Sequence, residues 1–407
     1  MPPGGRRGRR PWRRPTLYQG YLGGALIGAV GSWMLRTAQI LLVIEVTGAN
    51  GLLVGIVTAA QYVPTLVLSG YVGVRADRQS KGTLLMIGQL VMIGAALAQA
   101  ALLFYGVDSW VFIAILATLF GVGTAIDGPM RTSVLPDLVP TPRVPAAVSV
   151  NVVLLQLGRF VGPPLTAYLV LEVSFAWAFT IAGLGLIGFA AVLPRVSVPP
   201  KPTDSDSGGL RAALVYLRRR PRMLAAFFLA GVTGLVGPNL VPFSALIVYQ
   251  RFDGGAGEVA VASTSLALGA LVGSVWAART RHRSLGMVAA LTITVGLMSA
   301  ASALMPTPVL FYVLLGVAGC AALAMVSQAT ARVQEFVDDD MRGRVTGLYF
   351  IVLVGGAPIG APLIGALGDV IGITWAVALA GVVVAATGLL IFLPVRTTLD
   401  IAPVHRD

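Results

Sequence analysis

The chain has one cysteine and two histidines in 407 residues, and only 11% of its positions are charged. A lone Cys320 excludes an intrachain disulfide framework and any cysteine-based metal cluster. His282 and His405, each beside an arginine, do not make a histidine metal site, so no metal and no resident cofactor is expected. No phosphate-binding glycine loop, no pair of catalytic carboxylates and no Ser/His/Asp set stands out, which argues against an enzyme. Soluble domains carry about 25% charged residues, so this chain lacks the surface that water demands.

What is present is apolar. Hydrophobic residues make up 56% of the sequence, with 49 glycines and 25 prolines, and the mean hydropathy is +0.85. Lipid tolerates such a surface, and only if every backbone polar group is satisfied internally, which favours helices. A hydrocarbon layer about 30 Å thick needs roughly 20 apolar residues per helix. Polar punctuation then predicts twelve spans, near 17–46, 51–74, 82–105, 109–133, 146–170, 174–194, 222–249, 257–279, 285–305, 307–332, 345–369 and 372–394. The arginine-rich start could pass for a leader, but the apolar stretch after it is too long for one, and an uncleaved first helix is expected.

The net charge of +12 raises the question of nucleic acid, and the placement of the charge answers it. With the N-terminus in the cytoplasm, 26 of 29 lysines and arginines fall on cytoplasmic segments, leaving Arg251 outside and Arg36 and Arg159 within spans. That is the positive-inside pattern, so the basic character needs no nucleic acid. The expected organisation is a basic tail over 1–16, a six-helix bundle over 17–194, a cytoplasmic linker over 195–221, a second six-helix bundle over 222–394 and a tail over 395–407, both termini cytoplasmic. The linker is rich in Pro, Ser, Asp and Gly, and Leu210–Leu217 is expected to form a short interfacial helix.

The halves match weakly at an offset of 198 residues: Asp137 with Glu335, Val139 with Val337, Gly158 with Gly356, Gly162 with Gly360, Pro164 with Pro362 and Leu165 with Leu363. Repeats of this kind suit a carrier that rocks one bundle against the other around a central site. Gly73-Val74-Arg75-Ala76-Asp77-Arg78-Gln79-Ser80-Lys81 resembles the signature loop of the major facilitator superfamily, G-x-x-x-D-R-x-x-[RK]. Pro129-Met130-Arg131, Leu135 to Pro140, Gln334 to Val345 and Gly355-Gly356-Ala357-Pro358-Ile359-Gly360 resemble its branch of enterobactin exporters and macrolide and multidrug efflux proteins. Members of that branch often carry an acidic residue after a first-helix glycine, whereas Ser32 follows Gly31 here.

The resemblance implies that Asp77 latches onto the start of the eleventh span near Arg342, Gly343 and Arg344, with Arg131 as another partner. Gly73, Arg78 and Lys81 complete that gating loop. Asp127, Arg159 and Arg36 are ionisable groups inside spans and candidates for coupling, with Glu45 at a helix end. Asp127 either takes up a coupling proton or forms a structural pair with Arg159; the pair is the favoured reading, because a neighbouring arginine favours the ionised carboxylate. Trp33, Gln39, Gln61, Tyr62, Asn151, Gln156, Asn239, Phe243 and Gln328 are candidates for lining a cavity. Gly237, Pro238 and Pro242 should break the seventh span. Gly158, Gly162 and Pro163, like Gly356, Pro358 and Gly360, should permit close helix packing and bending. The expected activity is proton-coupled efflux of an amphipathic small molecule, a drug or siderophore, by a monomer in a bacterial cytoplasmic membrane. The alternative is a facilitator for uptake or for lipid translocation on the same fold.

Overall fold

A computed structural model describes residues 15–76, 80–196, 209–280, 284–338 and 341–398. Within them twelve stretches are long and apolar enough to cross a membrane. The first half is α1 (Pro15–Val46), α2 (Gly51–Ala76), α3 (Lys81–Phe104), α4 (Trp110–Leu138), α5 (Val144–Glu172) and α6 (Phe175–Ala190). A short α7 (Gly209–Arg218) lies where the interfacial helix is expected, and Ala213 and Leu217 dock it while Leu214 and Val215 stay exposed. The seventh span is two helices, α8 (Pro221–Val236) and α9 (Leu240–Arg251). The chain continues through α10 (Ala256–Arg279), α11 (Leu285–Leu304), α12 (Pro308–Phe336), α13 (Arg342–Ile371) and α14 (Ile373–Thr398).

Large apolar side chains such as Val67, Leu363 and Leu390 point outward and are more than 60% exposed, as a lipid-facing surface requires and a soluble monomer avoids. Small residues face inward. Within the first half α1 packs on α5 and α6, and α3 on α4 and α6; within the second α10 packs on α12, and α11 on α12 and α14. The halves meet chiefly where α2 lies against α13 and α5 against α10.

The sequence repeat reappears as geometry. Trp110, Val144 and Phe175 open α4, α5 and α6, and 198 residues later Pro308, Arg342 and Ile373 open α12, α13 and α14. The paired glycines do the same work in each half. A Cβ on Gly158 would lie 2.7 Å from the Ala29 backbone, and one on Gly162 would lie 2.7 Å from Trp33 Cβ, so α5 sits directly on α1. In the second half a Cβ on Gly356 would come within 2.5 Å of Gly234, and one on Gly360 within 2.1 Å of the Leu235 carbonyl, so α13 sits directly on α8.

The break in the seventh span falls at Gly237–Asn239, as its glycine and prolines dictate. The Asn239 side-chain amide donates to the Leu235 carbonyl (2.8 Å) and to the Ala357 carbonyl of α13 (3.1 Å). One side chain thus satisfies a carbonyl at the break and ties the bend to a neighbouring helix, the compensation that broken helices need in lipid.

Candidate functional site

A central cavity of about 240 Å³ opens where the halves meet. The first half contributes Trp33 and Arg36 from α1, Gln61 and Tyr62 from α2 and Arg159 from α5. The second half contributes Thr233 from α8, the bend at Gly237, Pro238 and Pro242, and apolar side chains of α10, α12 and α13. Prolines shape its walls: Pro163 deprives the Arg159 carbonyl of its helix partner, and Pro358 does so for Val354, and both Arg159 and Val354 line the cavity.

The cations here are built in. Arg36 Nη1 donates to Gln61 Oε1 (2.8 Å), and Gln61 Nε2 donates to Oε1 of the fully buried Gln39 (2.9 Å). The Arg36 guanidinium lies 4.9 Å from the Tyr62 ring, 5.3 Å from Phe120 and 5.6 Å from Trp33. Arg159 sits 5.2 Å from the same Trp33 ring. A cation at the bilayer centre costs at least about 2.5–3.5 kcal/mol. Aromatic faces return about 0.5–2 kcal/mol each. Among the described residues neither arginine forms an ion pair, and no carboxylate lines the cavity.

Asp127 is elsewhere, and its partner is not Arg159. Arg131 Nε donates to Asp127 Oδ2 (2.5 Å) and Gln89 Nε2 to Asp127 Oδ1 (2.5 Å). Arg131 is 2% exposed, its guanidinium stacks 4.2 Å from the Phe189 ring, and Nη1 donates to the Ala25 carbonyl (3.3 Å). The Tyr21 hydroxyl donates to the Arg131 carbonyl (3.3 Å). Arg131 is therefore a buried member of α4 with Asp127 as its counter-ion, and Asp77, the partner the resemblance implies for it, lies outside the described residues. The signal for the Asp127–Arg131 pair was in the sequence: residues four apart on a helix share a face, whereas Asp127 and Arg159 had only their common depth to link them.

The other candidates scatter. Gln39 stands behind Gln61, and Phe243 is packed in the core. Gln328 donates to the Ala277 carbonyl (3.2 Å), holding α12 to α10. Asn151 and Gln156 lie on α5, Glu45 is exposed at the end of α1, and none of the three lines the cavity. Lys81 bridges α3 to the end of α4 through Asp137 (2.8 Å) and the Ser133 carbonyl (2.9 Å). Gly73 is in α2, and Arg342, Gly343 and Arg344 open α13; Asp77 and Arg78 lie outside the described residues.

Sequence reasoning missed Asp369. Its carboxylate accepts from the backbone N–H groups of Gly51 (2.7 Å) and Leu52 (2.8 Å), capping α2 from the opposite half. A Cβ on Gly51 would come within 2.6 Å of the Gly365 carbonyl, and one on Gly55 within 2.4 Å of the Ala361 carbonyl. Gln250 adds a hydrogen bond to the Ala49 carbonyl (2.7 Å). The face opposite the start of α1 is thus closed by direct backbone-level contact.

A family model described as "transmembrane secretion effector" matches residues 13–405. The enterobactin exporter EntS of Salmonella typhimurium is 26% identical over 264 residues, 63% of either chain. The staphyloferrin A transporter of Staphylococcus aureus is 27% identical over 263 residues, 62% of either chain. The match therefore spans a little under two thirds of these curated relatives. Among solved structures, a bacterial homolog of the human lysosomal transporter Spinster, inward-facing and unoccupied, superposes with a TM-score of 0.73 at 13% identity, covering 96% of this chain and all of that one. A D-xylose–proton symporter does so at 0.70 and 14%, covering 92% and 96%.

Proposed function

The chain belongs to the transmembrane secretion effector family of the major facilitator superfamily, a family of multi-pass membrane transporters and not of enzymes, and we propose that it exports a siderophore-like amphipathic small molecule by alternating access. The carrying observation is the central cavity, shared between two repeat-related halves and shut off by contacts on one face. A site bounded by both halves changes its exposure when one half rocks against the other. The enterobactin exporter and staphyloferrin A transporter among its relatives support the substrate class, and the exporter supports the outward direction.

Counter-movement of protons drives the cycle in this reading, in a bacterial cytoplasmic membrane, with both termini inside and one chain as the working unit. Asp127 is the coupling candidate, because its carboxylate is buried within a span and its protonation would release Arg131. The test is transport in proteoliposomes with an imposed pH gradient, using siderophores, macrolides, dyes and lysolipids as substrates. Gradient-dependent siderophore accumulation is expected for the wild type and should be lost in Asp127→Asn. Proton-driven exchange surviving in that variant removes Asp127 from the coupling path, and movement of lysolipids alone replaces export of siderophores with lipid translocation.

A further inference from the structure

We infer that the cavity is a recognition site for an organic oxyanion, a carboxylate-bearing headgroup held between Arg36 and Arg159; this rests on the export reading and names the substrate class. Two guanidinium groups both stand against a single indole, Trp33, at 5.6 and 5.2 Å, and both line the cavity. Like charges brought together within a membrane repel, and a protein keeps them when an anion arrives between them. No carboxylate of the described residues supplies that anion: the cavity lining holds none, and Asp127 is committed to Arg131 and Gln89. The anion must come with the ligand.

The rest of the cavity has the matching form. Arg36 is fixed by Gln61 and Gln39, which leaves its other N–H groups free to fork around a planar oxyanion. Across the cavity, Thr233 of α8 is 2% exposed and its hydroxyl has no hydrogen-bond partner. A carboxylate would thus take charged donors from the first half and a hydroxyl from the second, joining the halves as it binds. The remaining wall, including Leu266, Leu323, Val326 and Leu353, is apolar and suits the body of an amphipathic molecule. Ligand pockets for whole drug-sized molecules measure about 300–1,000 Å³. At about 240 Å³ the cavity in this conformation accommodates an acidic headgroup and not a whole siderophore.

The experiment is a binding titration on the full chain in nanodiscs, with 2-naphthoate and its neutral amide, 2-naphthamide, as probes. Wild type should bind the acid at least about tenfold more tightly than the amide, which corresponds to one bidentate charged contact. Arg36→Gln and Arg159→Gln should each erase most of that preference, and Arg159→Lys should restore part of what Arg159→Gln loses. Melting temperatures establish that each variant is folded. Equal binding of acid and amide by wild type, failure of the acid to bind at millimolar concentration, or a preference that survives Arg36→Gln/Arg159→Gln overturns the proposal. Acid selectivity without any export would sink the export reading and leave the oxyanion site standing; export of neutral compounds alone would do the reverse.

Discussion

At the residue scale, the informative groups are charges that a membrane interior should not hold. Asp127 and Arg131 answer the problem locally: each is the other's counter-ion, one helical turn apart, and Gln89, Phe189 and the Ala25 carbonyl complete their shells. Removing one member of a buried pair costs about 3–5 kcal/mol, whereas replacing both with apolar groups is often neutral. Asp127→Leu and Arg131→Met should therefore each lower the melting temperature in detergent by roughly 5 °C or more, and the double variant should recover most of the loss. Additive losses in the double variant would mean that the pair is not the stabilising unit. Arg36 and Arg159 show the opposite solution, cations steadied by rings and amides and left without an acid. Hydropathy makes any charge in a span conspicuous, which is why Asp127, Arg36 and Arg159 stood out in the sequence. Arg131, which falls with the cytoplasmic segments, stood out only through the family resemblance. Span-level reading mispaired Asp127, because it gives depth but not the direction a side chain points around the helix. Trp33, Gln61 and Tyr62 were legible as cavity residues for a related reason, since a polar or aromatic group on an apolar helix turns inward. Asn239, Phe243 and Gln328 obey the same rule and meet helix partners in place of the cavity.

At the element scale, glycine decides how near two helices come, and the chain contains both kinds of glycine. Gly360 permits a contact that a Cβ would bring to 2.1 Å of a backbone carbonyl, while a Cβ on Gly94 of α3 would meet nothing within 4 Å. Overpacking a tight contact costs about 1–3 kcal/mol. Replacing an unencumbered helical glycine with alanine gains about 0.4–1 kcal/mol by restricting the unfolded chain. Gly360→Ala should therefore lower the melting temperature and Gly94→Ala raise it, both read by thermal unfolding in the same detergent. Equal shifts for the two would remove the close-packing role of the α8–α13 contact. The offset of 198 residues was legible because Gly158, Gly162, Gly356 and Gly360 are needed for the same packing in each half. The bend at Gly237–Asn239 was legible because prolines leave a helix few alternatives. Asp369 was not, since capping across 318 residues of sequence leaves no local pattern to read.

At the scale of the whole molecule, two arrangements of the halves must differ by little free energy for transport to turn over. The far-face contact sets part of that difference. Asp369 gives its charge to the N-terminus of α2, where cap and dipole effects amount to about 0.5–2 kcal/mol. Converted at 1.4 kcal/mol per tenfold change, that biases the equilibrium by roughly 2- to 30-fold. Spin labels at Val173→Cys, just past the end of α5, and Ile371→Cys on α13, in a Cys320→Ser background, report the separation of the halves on that face; both sites are exposed. Asp369→Asn should enlarge the long-distance population by a factor in that range, with the cavity's ligand preference unchanged. An unaltered distance distribution would mean that the glycine contacts at Gly51, Gly55 and Gly365 hold the face closed without the carboxylate. The arginine asymmetry leads us to propose that this face looks outward, which is tested in intact cells with a membrane-impermeant maleimide. In the same Cys320→Ser background, Asp253→Cys between α9 and α10 should label, and Arg218→Cys at the end of α7 should label only after the cells are opened. If Arg218→Cys labels first, the chain runs the other way through the bilayer, and the face closed by Asp369 looks into the cytoplasm instead of out of it.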